Sequence, residues 1–79
     1  MKRVLFVVET PRKVRIIAYD YEKLEPMDYE IDLEKEFTPE ERIKEIIQEL
    51  EFKKYDTRVL KRFLKKRGKK LRRGPLRHG

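Results

Sequence analysis

The chain has seventy-nine residues and a mass of 9.8 kDa, which allows one small domain that buries only about 60–65% of the surface its unfolded form exposes. With no cysteine and a single histidine, it offers neither a disulfide framework nor a zinc site to brace so small a core. Charged residues reach 47%, against roughly 25% in an ordinary soluble domain, and the net charge is +7.

Lys2–Glu9 (KRVLFVVE) is rich in Val and too short for a buried helix, and so reads as a first strand. Thr10-Pro11-Arg12-Lys13 is a turn with proline suited to its first central position. Val14–Tyr21 (VRIIAYDY) reads as a second strand, antiparallel to the first because the connection is so short. A second connection containing Pro26 leads to Asp28–Glu34. There Tyr29, Ile31 and Leu33 alternate with Asp28, Glu30, Asp32 and Glu34, the pattern of an edge strand with one wet face. Strand 1, apolar on both sides, is expected at the centre of the sheet. Val4, Phe6, Val8, Tyr29, Ile31 and Leu33 are expected to face the helices.

Helix signals follow. Thr38-Pro39-Glu40-Glu41 has the form of a capping box with proline at the first helical position. Ile43, Ile46, Ile47 and Leu50 form the apolar stripe behind it. Asp56 is the expected N-cap of a second helix with Val59, Leu60, Phe63 and Leu64 inward, and Gly68 its expected stop. Gly74-Pro75 argues against regular structure beyond that point. The expected fold is therefore α+β, a three-stranded antiparallel meander packed on two C-terminal helices (β-β-β-α-α). Residues 1–68 form the domain and 69–79 an extended basic tail.

Several classes of function are set aside. The longest apolar run, Val4–Val8, is far short of the ~20 residues that span a bilayer. The start lacks the apolar stretch and cleavage site of a signal peptide, so a cytoplasmic location is expected. Serine and cysteine nucleophiles are absent, and the one histidine is His78. No phosphate-cradling glycine loop exists, because Gly68, Gly74 and Gly79 are the only glycines. No enzyme, no metal, no cofactor and no small-molecule substrate is expected. Tyr19, Tyr21 and Tyr29 are the residue type that stacks on bases. Asp20, Glu22, Asp28 and Glu30 beside them should repel phosphates, so packing is their expected role.

Charge asymmetry carries the functional expectation. Residues 1–52 hold nine Lys/Arg against fourteen Asp/Glu, while residues 53–79 hold thirteen against one, Asp56. The basic set is Lys53, Lys54, Arg58, Lys61, Arg62, Lys65, Lys66, Arg67, Lys69, Lys70, Arg72, Arg73 and Arg77. Left alone these cations repel one another; a polyanion relieves that repulsion and releases counterions. A basic extension punctuated by Gly and Pro suits structured RNA, on which such segments order. A helix-turn-helix on DNA is the alternative. It is weakened by Glu40, Glu41, Glu45, Glu49 and Glu51 on the helix that would cross the phosphate backbone. A protein–protein adaptor using the acidic face is a third reading.

Composition adds the setting. Ser, Asn, Cys and Trp are absent, Gln48 is the only glutamine, and Lys, Arg and Glu dominate, as in hyperthermophile proteins. An acidic and apolar head with a basic tail resembles the small archaeal ribosomal proteins. That resemblance implies ribosomal RNA and neighbouring ribosomal proteins as partners.

Overall fold

The computed structural model describes the backbone of residues 1–77 and the side chains of residues 1–67. Three antiparallel strands, β1 (Lys2–Glu9), β2 (Lys13–Asp20) and β3 (Glu25–Asp32), precede two helices, α1 (Pro39–Phe52) and α2 (Arg58–Arg77). The α+β order expected from the sequence is the order observed.

Strand β2, not β1, is central, with β1 and β3 on either side. The cause is the connections: both are too short to let a strand travel, so each neighbour folds directly back on β2. Thr10 closes the first turn, its N–H donating to the Lys13 carbonyl at 2.9 Å and its hydroxyl accepting from the Lys13 N–H at 3.1 Å. Asp20 closes the second by accepting from the N–H groups of Glu22 and Lys23 at 2.9 and 3.1 Å. Those two bonds let a carboxylate sit buried at the end of a strand. Strand β3 begins three residues earlier than the alternation predicts, at Glu25, and ends at Asp32. Pro26 falls inside it opposite Tyr19, which an edge strand tolerates because one side of its backbone has no partner to lose.

One face of the sheet meets the helices. Val14, Ile16 and Ala18 of β2 lie opposite Ile31, Tyr29 and Met27 of β3, and all six face or pack on the core. On β1 the expected alternation breaks. A register shift between Val4 and Phe6 inserts Leu5 as an extra residue. After that bulge Val7 packs on the core, and Phe6 and Val8 turn to the open face, 50% and 45% exposed. The doubly apolar character of β1 therefore marks a bulge and not a central position.

Helix α1 buries Ile43, Ile46, Ile47 and Leu50, the stripe read from the sequence. Its start at Pro39 also agrees, but the Thr38 side chain makes no capping bond. The Thr38 carbonyl accepts from Glu41 and Arg42 instead. Thr38→Ala should then leave the melting temperature nearly unchanged, where a capping hydroxyl would cost ~1 kcal/mol. A drop of several degrees would restore the capping box.

Helix α2 differs from expectation at both ends. The Thr57 carbonyl accepts the first helical bond, from the Lys61 N–H, so Thr57 occupies the N-cap. Asp56 stands one residue before it and accepts from the Arg58 N–H at 3.0 Å. Nor does the helix stop at Gly68; it continues to Arg77. The run Lys69–Arg73 consists of Lys, Leu and Arg, all strong helix formers, and extends the helix where an open tail was expected. Asp56 also fixes the outer edge of β1. Its carbonyl accepts from the Val4 N–H and its N–H donates to the Lys2 carbonyl, both at 2.9 Å, in a short parallel bridge.

Candidate nucleic-acid interface

The basic residues separate into paired and unpaired groups. Lys53, at the end of α1, lies 3.5 Å from Glu49. Lys61 is 2.5 Å from Glu51, whose carboxyl is held below its ordinary value by that bond and by one from the Thr57 hydroxyl. Arg58 is held by Asp56 at 2.8 Å yet is 83% exposed. The Arg58 guanidinium and N–H keep the Asp56 carboxyl down at about 2, so the pair persists at any physiological pH. Arg62, Lys65 and Lys66 are exposed and have no carboxylate partner among the described residues. Lys54 is likewise exposed, on a left-handed backbone of φ 73° between the helices.

Arg67 is not part of this surface. It lies seven residues after Leu60, on the helical face that packs inward, and its side chain is only 18% exposed. Its guanidinium binds Glu40 at the start of α1, at 2.7 Å, and Glu9 at the end of β1. Burial opposes its charge, but the bonds to Glu40 and Glu9 outweigh it and raise its pKa. Arg67 therefore ties three elements together. Arg67→Ala should lower stability by about 1 kcal/mol while leaving the salt slope of any nucleic-acid binding unchanged. A shallower salt slope at constant melting temperature would return Arg67 to the interface.

The remaining basic positions, Lys69, Lys70, Arg72, Arg73 and Arg77, follow on the same helix by backbone. Their side chains lie outside the described residues. From Arg58, the positions of Arg62, Lys65, Lys69 and Arg73 recur at helical spacing along the backbone of α2.

Two further exposed residues escape sequence reasoning, and one of them reaches this row of basic positions. Arg3 enters because the Asp56 bridge brings β1 to the start of α2. Together with Arg58 and Arg62 it lines a shallow cleft of about 290 Å³ that also includes Leu5, Asp56 and Val59. Phe6 faces outward only because of the bulge at Leu5. Neither event is local in sequence, and no residue pattern announces them.

The tyrosines divide as well. Tyr29 faces the core and its hydroxyl donates to Glu49 at 2.8 Å. Burial and that bond push its pKa up to about 12. Tyr19 and Tyr21 meet edge to face, with ring centroids 4.9 Å apart.

Comparison with models of protein families, with curated proteins and with solved structures finds no match. Among the described residues no helix is long and apolar enough to cross a membrane, and no three His, Asp or Glu side chains are grouped to hold a metal ion.

Proposed function

We propose that the protein is a non-enzymatic RNA-binding protein that grips the phosphates of structured RNA with α2. The observation that carries the reading is the exposed face of that helix. Arg62, Lys65 and Lys66 project there without carboxylate partners among the described residues, while the acids of the chain are largely engaged elsewhere. Uncompensated cations at helical spacing match a row of phosphates, and their release of counterions supplies sequence-independent affinity. Lys54 and Arg58 extend the row toward α1, and the backbone of α2 carries five further Lys and Arg positions between 69 and 77.

The proposed setting is a ribonucleoprotein particle such as the ribosome of a thermophilic archaeon, in keeping with the composition. Duplex DNA is the less favoured polyanion. Helix α1 would have to cross its backbone, and Glu40, Glu41, Glu45 and Glu49 lie along that helix.

The test is the salt dependence of binding to a structured RNA, such as a hairpin with an internal loop. Replacing Arg62, Lys65 and Lys66 together with Ala should make the slope of log K against log salt shallower by about 2–3. The melting temperature should not fall, since none of the three is buried. If the full chain shows no salt-dependent RNA affinity, the proposal fails.

A further inference from the structure

Among the described residues, no element covers the open face of the sheet. From β1 it presents Arg3, Phe6 and Val8, which lie opposite Tyr19, Ile17 and Arg15 of β2. Phe6 and Tyr21 are 50% and 42% exposed. The Arg3 guanidinium lies 5.7 Å from the centre of the Tyr21 ring. Arg3 thus belongs both to this aromatic surface and to the cleft it forms with Arg58 and Arg62. Basic helix and aromatic sheet face are joined at one residue.

The acids that argued against base stacking here are all engaged. Asp20 is buried on the opposite face and bonded to two backbone N–H groups. Glu22 faces the α-amino group of Met1 at 3.6 Å. Asp28 pairs with Arg15 at 2.5 Å and Glu30 with Lys13 at 2.6 Å. Arg3 has no carboxylate bridge among the described residues, and the cleft holds three arginines against one acid, Asp56. The β1 side of the face therefore presents excess positive charge directly beside exposed aromatic rings. That combination is complementary to an unpaired nucleotide chain, whose bases offer π-faces and whose phosphates are anionic.

We infer that the open sheet face is a stacking platform for single-stranded RNA, with bases on Tyr19, Tyr21 and Phe6 and the adjoining phosphates in the Arg3–Arg58–Arg62 cleft. The inference rests on the RNA-binding reading and gives it a substrate class, an unpaired segment flanking a structured one. A strand leaving the phosphate row of α2 passes through the cleft and reaches the rings beside Arg3. Stacking is tolerant of base identity, so the platform selects unpaired RNA over paired RNA and does not select a sequence.

The experiment measures fluorescence anisotropy with the full chain and two labelled probes, an RNA duplex and the same duplex with a six-nucleotide single-stranded extension. Tyr19→Leu and Tyr21→Leu keep apolar bulk but remove the aromatic face. Each should lower affinity for the extended probe about tenfold, with duplex affinity and salt slope unchanged. Tyr21→Phe should retain the affinity. Arg3→Ala should lower affinity for the extended probe and make its salt slope shallower by about one.

Equal affinity of the Leu variants and the native chain for the extended probe would overturn the platform. If duplex binding were intact in that case, the α2 proposal would survive it; loss of all RNA binding by the native chain would sink the α2 proposal itself. Sedimentation of the free chain supplies the other decisive outcome. If it runs as a dimer that Phe6→Glu dissociates, the face is occupied by a second copy and the platform is wrong.

Discussion

Leu60→Ala is expected to destabilise the fold by about 2–5 kcal/mol, a loss comparable to much of the stability a domain this small has. Leu60 is the α2 side chain with no exposure at all among those described, and it sits in the same cluster as Val4, Ile16 and Leu50. It fastens the basic helix to the sheet and to α1. Its removal leaves a cavity where three elements meet, which partial relaxation cannot fill. For a domain of about this size each kcal/mol shifts the melting temperature by roughly 4–8 °C, so the effect should be plain in a thermal melt followed by circular dichroism. Phe63→Ala should cost less, because Phe63 is only partly buried at the edge of that cluster. If Phe63→Ala proved the more damaging of the two, the rotation of α2 against the sheet would be wrong. The same error would place Arg62 and Arg67 on the wrong faces.

The second large effect concerns binding. Deleting residues 69–79 removes Lys69, Lys70, Arg72, Arg73 and Arg77, five of the thirteen basic positions. If each meets a phosphate, the salt slope of RNA binding should become shallower by up to ~4–5. Over a fourfold change in salt this corresponds to roughly 10²–10³ in affinity. The core should remain, because among the described residues every member of its buried cluster lies before residue 61. Equal affinity of truncated and full chains at all salt concentrations would reduce this segment to a solubility device. The acidic face of α1 and β3 would then become the better candidate for a partner surface, and the adaptor reading would lead. A truncated chain that binds RNA weakly but still distinguishes the single-stranded extension would separate the helix from the sheet platform.

Much of this protein is written in local residue patterns. The turn at Thr10-Pro11, the alternation through Tyr29, Ile31 and Leu33, and the stripe Ile43–Ile46–Ile47–Leu50 each depend on neighbours within a few positions. All three appear where that spacing puts them. The segregation of charge into an acidic first part and a basic end is equally a property of the sequence. Even the inward face of Arg67 follows from its spacing to Leu60, Phe63 and Leu64, although its partners Glu9 and Glu40 do not. Those carboxylates come from 58 and 27 residues away, and only the packing of α2 across β1 and α1 brings them to one guanidinium.

The tertiary structure decided the rest for the same reason. A single extra residue at Leu5 reverses the faces of Phe6, Val7 and Val8, because side chains along a strand alternate with period two. The choice of β2 as central strand depends on two short connections acting together. Arg3 reaches the cleft because β1 pairs with Asp56, fifty-three positions further along. Local propensity and periodicity set which elements form and which cations are available. Strand order, bulge and long-range pairing set which of those cations stay free and which aromatic rings stand beside them, because each depends on contacts that exist only after the chain has closed on itself.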